Sequence, residues 1–102
     1  MIVSFSVTPI GTGDDSVADE VADAVRVVRS SGLPNRTDAM FTSVEGEWDE
    51  VMDVVKRAVD AVLARSKRVS LVLKADIRPG ATGQLDEKVR EIEKRLDGRR
   101  TP

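Results

Sequence analysis

Two stretches of period-two alternation lie toward the two ends of the chain, and two helical valine stripes lie between them. Ile2–Thr8 reads IVSFSVT, with Val3, Phe5 and Val7 alternating against Ser4, Ser6 and Thr8. Arg68–Arg78 reads RVSLVLKADIR, which sets Val69, Leu71, Leu73, Ala75 and Ile77 on one face and Ser70, Val72, Lys74, Asp76 and Arg78 on the other. Side chains of a strand point alternately to its two faces, so each segment predicts a strand with an apolar side. Pro9–Asp15 and Pro79-Gly80 break the two patterns and predict loops.

Between them, Val17, Val21, Val25 and Val28 recur at helical spacing. Ser16 is a suitable N-cap, Asp19 imitates a capping box, and Gly32 with Pro34 closes the helix. A second helix is predicted from about Glu47 to Ser66, with Val51, Val55, Val59 and Val62 as its buried stripe. Its acidic start, Glu47, Asp49 and Glu50, suits the positive end of a helix dipole. Asn35–Glu45 reads either as two short strands with a tight turn around Ala39-Met40 or as one longer bent strand; periodicity does not separate the two. A last helix is predicted over Gly83–Asp97, with Leu85, Val89, Ile92 and Leu96 as its apolar positions. The order β-α-β-β-α-β plus a closing helix predicts an α+β, ferredoxin-like antiparallel sandwich with an extra C-terminal helix. One domain is expected over residues 1–98, with 99–102 a frayed tail.

Composition excludes much chemistry. The chain has no Cys and no His, which removes thiolate nucleophiles, disulfides, the usual zinc ligands and the commonest general base. No metal site is expected. A net charge of −2 gives no general attraction to phosphate backbones. The outer strand face offers Ser, Thr and Val where an RNA-binding sheet needs aromatics, so no nucleic acid is expected. No apolar run approaches the roughly 20 residues of a membrane span, and Met1–Ile10 carries no basic residue of a signal peptide. The cytoplasm is the expected compartment, with no membrane partner.

The remaining chemistry rests on carboxylates and hydroxyls. The Gly11-Thr12-Gly13 run lacks phosphate-loop spacing, and Asp14-Asp15 would repel a phosphate. Ser70 and Lys74 form no marked nucleophile pair. Asp38, Glu45 and Asp76 stand at strand positions or ends. Each has a structural explanation: Asp38 in a turn, Glu45 at a helix start, Asp76 beside Lys74 or Arg78. In the expected sheet the third and fourth strands flank the first, which would gather these groups around Ser4–Thr8. The sole Trp, Trp48, is expected to be a hydrophobic anchor.

Three segments, VTPIGTGDDSVADEV, TSVEGEWDEV and VLKADIRPG, resemble the small thiamine-binding proteins of the YkoF-like superfamily. The matching motifs stand as Pro9-Ile10-Gly11-Thr12, Met40–Gly46 and Lys74–Arg78, and cover nearly the whole chain in order. One position departs: Phe41 replaces a Gly of the family pattern. The resemblance implies a ferredoxin-like fold, a homodimer or homotetramer built through sheet faces, and binding of thiamine or its hydroxymethylpyrimidine part without catalysis and without a cofactor. On that reading Glu45 and Asp76 accept from the cationic or amino-bearing ligand. Ser6, Thr8 and Thr42 supply neutral hydrogen bonds, with Asp38 in the same set, and Arg78 orients Asp76 or meets a phosphate. The alternative is an oligomeric interaction module that has lost its ligand; Phe41 slightly favours it, while the intact Thr42-x-x-Glu45-Gly46 and Asp76-x-Arg78 favour the binding reading.

Overall fold

The computed structural model describes residues 1–13 and 17–100, the last two as backbone alone. The expected cap at Ser16 and the end of the tail, Thr101-Pro102, lie outside the described residues. In chain order the elements are β1 (Ile2–Pro9), α1 (Ala18–Ser30), β2 (Asn35–Thr37), β3 (Thr42–Glu45), α2 (Trp48–Leu63), β4 (Val69–Asp76) and α3 (Gln84–Arg100). The sheet order is β2-β3-β1-β4 and every neighbouring pair is antiparallel. This is the expected ferredoxin-like α+β arrangement. Asn35–Glu45 forms two strands, not one bent strand.

The alternation read from the sequence sorts the two sheet faces. Val3, Phe5 and Val7 of β1 turn inward and pack with Ala24 and Val28 of α1 and with Val51, Val54, Val55, Ala58 and Val62 of α2. Branched valines fit the pleated surface and fill the space between the layers. Gly32, at φ +78°, follows the end of α1 in the left-handed conformation that glycine adopts most readily. The α1 stripe is only partly buried, however. Val28 is in the core, whereas Val21 and Val25 face a gap.

β4 is an edge strand, and α2 packs against α1 and more closely on β1 than on β4, so Leu71 stays exposed despite its inward register opposite Val7. Trp48 is 54% exposed, which corrects the expectation of a buried anchor.

α3 meets the opposite sheet face at its N-terminal end. Glu45 Oε2 accepts the Gln84 N–H at 2.9 Å, and Oε1 accepts the Leu85 N–H at 3.2 Å. Arg36 pairs with Asp86 at 2.8 Å, and Lys88 donates to Asp76. Beyond this anchorage the helix continues through Arg100, past Asp97 where the apolar pattern ends it. Val89, Ile92 and Leu96 remain exposed along it. The molecule measures 55 × 30 × 19 Å.

Candidate functional site

β1 outlasts one of its neighbours. It pairs with β4 as far as Pro9↔Val69, but with β3 only as far as Phe5↔Thr42. Beyond Phe5 the β2–β3 turn diverges from β1 and leaves a cavity of about 210 Å³. One wall is the free end of β1 over Ser6–Thr8, the floor is Val21, Ala24 and Val25 of α1, and the far wall is the turn over Asp38–Phe41.

The turn is held open by one carboxylate. Asp38 Oδ1 accepts the Met40 and Phe41 N–H groups, both at 2.9 Å, while the Asp38 N–H donates to the Phe41 carbonyl at 2.9 Å. A short polar side chain bonding the backbone two and three residues on is a standard way to fix a turn. The Phe41 and then the Met40 amide hold the Asp38 carboxyl below the usual carboxylate range. Asp38 is therefore ionised at neutral pH and brings a negative charge to the cavity.

Thr42 is 8% exposed and lines the inner wall, its Oγ1 3.4 Å from that of Thr37. Ser6 and Thr8 have outward register but reach the cavity because no strand lies beside them there. Phe41 stands in the wall, and the space beside it remains open. Among the described residues, no Lys or Arg lines this cavity.

The expected site residues therefore divide. Ser6, Thr8, Asp38 and Thr42 gather at this cavity. Glu45 and Asp76 both oppose Ile2 at the other end of β1, a separation on the order of 15 Å at the usual rise per strand residue. Glu45 is 5% exposed with both carboxylate oxygens turned to α3. Asp76 and Arg78 border a different hollow of about 230 Å³, together with Lys88 and Gln84. Lys88, by direct hydrogen bond and by charge, lowers the Asp76 pKa. A single cluster of all seven residues around β1 does not form.

Sequence reasoning missed the valines of α1 as cavity walls, and it missed Val7 and Met40. The available signal was a mismatch of lengths. A long first strand cannot be matched along its whole length by the few strand-forming residues before Glu45.

No helix of the described residues is long and apolar enough to cross a membrane, and no cluster among them suits a metal ion. The fold and cavity define a small α+β protein with a compact pocket at the end of its central strand pair. Its sequence matches the family described as "Thiamine-binding protein" over residues 3–93, and the chain belongs to that family. It is 57% identical over 97 residues to a UPF0045 protein of Mycobacterium bovis, with 94% of each chain covered. A solved structure from Methanocaldococcus jannaschii is 33% identical, covers 90% of this chain and 94% of its own, and superposes with a TM-score of 0.82. A Thermotoga maritima structure, described as that of a candidate thiamine biosynthesis/salvage protein, is 30% identical with a TM-score of 0.76. It covers 89% of this chain and 96% of its own.

Proposed function

We propose that this protein binds unphosphorylated thiamine, or its hydroxymethylpyrimidine part, in the cavity between β1, α1 and the β2–β3 turn. The observation that carries the reading is the composition of that cavity: apolar walls, the hydroxyls of Thr8 and Thr42, and the Asp38 carboxylate, without a cationic side chain among the described residues. At about 210 Å³ the space lies below the roughly 300 Å³ at which drug-sized pockets begin, so it suits one ring and not a whole extended cofactor. The pyrimidine enters, and the thiazolium cation stays outside within reach of Asp38. A diphosphate at the same mouth meets that carboxylate and no compensating Lys or Arg. Family membership and the Thermotoga relative's description support the ligand class.

The role is binding without catalysis, in vitamin salvage, transport or storage, and the cytoplasm is the compartment this reading assigns. Glu45, Asp76 and Arg78 fall outside the binding cavity on this account, and Glu45 and Asp76 serve the docking of α3. Titration calorimetry with thiamine, the free pyrimidine and thiamine diphosphate tests it. Saturable binding of the first two, with the diphosphate weakest, is expected; tighter binding of the diphosphate overturns it.

A second reading rests on a separate observation. The exposed Val89, Ile92 and Leu96 of α3 and the outward Val72 of β4 form apolar surface that suits a second copy of the chain. A homodimer or homotetramer is the assembly proposed, and it is compatible with ligand binding in the cavity.

A further inference from the structure

The unmatched end of β1 leaves main-chain groups without a partner, and ladder parity identifies them. Met1 and Gly46 exchange both backbone bonds, N to O at 2.7 Å and back at 3.1 Å. In an antiparallel pair such doubly bonded residues alternate with unbonded ones. Odd-numbered residues of β1 therefore direct both their N–H and their C=O toward β3. Even-numbered ones face β4, in agreement with the Ile10 N–H donating to the Arg68 carbonyl at 2.9 Å. Continuing the β1–β3 register beyond Phe5↔Thr42 sets Val7 opposite Met40. That pair does not form: the Met40 N–H is taken by Asp38 Oδ1, and Met40 is 73% exposed. Val7 faces Leu71 on its other side in an unbonded position of the β1–β4 ladder.

Both polar main-chain groups of Val7 thus point from a residue that is only 6% exposed into the wall of the cavity. Buried backbone donors and acceptors are nearly always paired, so this edge lacks what a ligand can supply. Pro9 fits the same pattern. Its missing N–H falls on the open side, where no strand bond is lost.

We propose that Val7 reads the edge of an aminopyrimidine ring as a strand would read its neighbour. The Val7 N–H donates to a ring nitrogen, and the exocyclic amino group donates to the Val7 carbonyl. The ring occupies the place that Met40 vacates in the ladder, over Val21 and Val25. This assignment rests on the proposed ligand class and adds the atoms that select within it: a ring nitrogen acceptor beside an amino donor. Side-chain substitution leaves both recognising groups intact, which is why no polar residue type marks this site in the sequence.

The test is amide exchange of the 15N-labelled full chain, read residue by residue, with the free hydroxymethylpyrimidine and its analogue lacking the exocyclic amino group. Without ligand, the Val7 amide should exchange far faster than that of Phe5. At saturation it should slow by roughly tenfold or more, and the analogue should bind about tenfold more weakly, the worth of one hydrogen bond near the upper neutral limit. Saturable binding that leaves Val7 exchange unchanged overturns the edge assignment while the binding reading stands. A Val7 amide already protected without ligand also overturns it. No binding of either ring removes both.

Discussion

Glu45 and Gln84 stand 39 residues apart in the chain, and the carboxylate of one caps the helix that begins at the other: Glu45 Oε2 accepts the Gln84 N–H at 2.9 Å. The second oxygen takes the Leu85 N–H at 3.2 Å. A helix start carries unpaired N–H groups and a partial positive charge, and a buried carboxylate answers both. Residue type alone gave Glu45 two uses, ligand acceptor or complement to the N-terminus of α2, and the helix it meets is α3 instead. Its geometry is that of a cap.

Replacing Glu45 with Ala should therefore destabilise the docking of α3 by about 1–3 kcal/mol, the range for leaving buried polar groups unpaired. The melting temperature should fall while thiamine affinity per folded molecule stays within twofold. Denaturation and calorimetry on the same variant separate the two effects. A loss of affinity without loss of stability would return Glu45 to the binding site.

Thr42→Val keeps the shape and removes one hydroxyl from the inner wall. We expect ligand affinity to weaken by about 0.5–1.5 kcal/mol, the net worth of a neutral hydrogen bond. Retained affinity would show that the ring does not reach Thr42. Calorimetry on the folded variant is the measurement.

Acidification should act on Asp38 and Asp76 in the same direction. The Phe41 and Met40 amides lower the first pKa, and Lys88 lowers the second. A folded-state pKa below the unfolded one stabilises the native state at higher pH, and that contribution disappears as pH falls through the folded value. Both groups are open to solvent, so the loss should be shallow, beginning in the usual carboxylate range and continuing below it. Asp38→Asn should flatten part of that slope in pH-dependent melting curves. It should also weaken thiamine more than the uncharged pyrimidine, since the amide carries no charge for the thiazolium.

Assembly is the fourth expectation. Ile92 is 58% exposed on a helix that leaves the domain, and Val89 and Leu96 share its apolar stripe. Light scattering at micromolar concentration should give a dimer or tetramer, and Ile92→Glu should shift it toward monomer by placing a charge in an apolar contact. A wild-type monomer under those conditions contradicts the proposed assembly.

Much of the architecture was legible because it depends on periods. Alternation in IVSFSVT and RVSLVLKADIR identified β1 with its buried face and β4 as a strand, and valine spacing identified α1 and α2. The ambiguity over Asn35–Glu45 was physical. Its division into two strands depends on Asp38 accepting two backbone amides, a local competition that hydrophobic period does not register.

What the sequence by itself determined is the order of elements, the faces that β1 and α2 bury and the poverty of catalytic groups, because these follow from residue types and their spacing. The site was decided by tertiary structure. Only the register shows that the β1–β3 pairing ends at Phe5, two residues short of Val7, and that Glu45 lies at the other end of β1, where it caps α3. Main-chain groups are the same at every non-proline position of a chain. Which of them lack a partner is settled by the neighbouring strand, and no single residue letter records it.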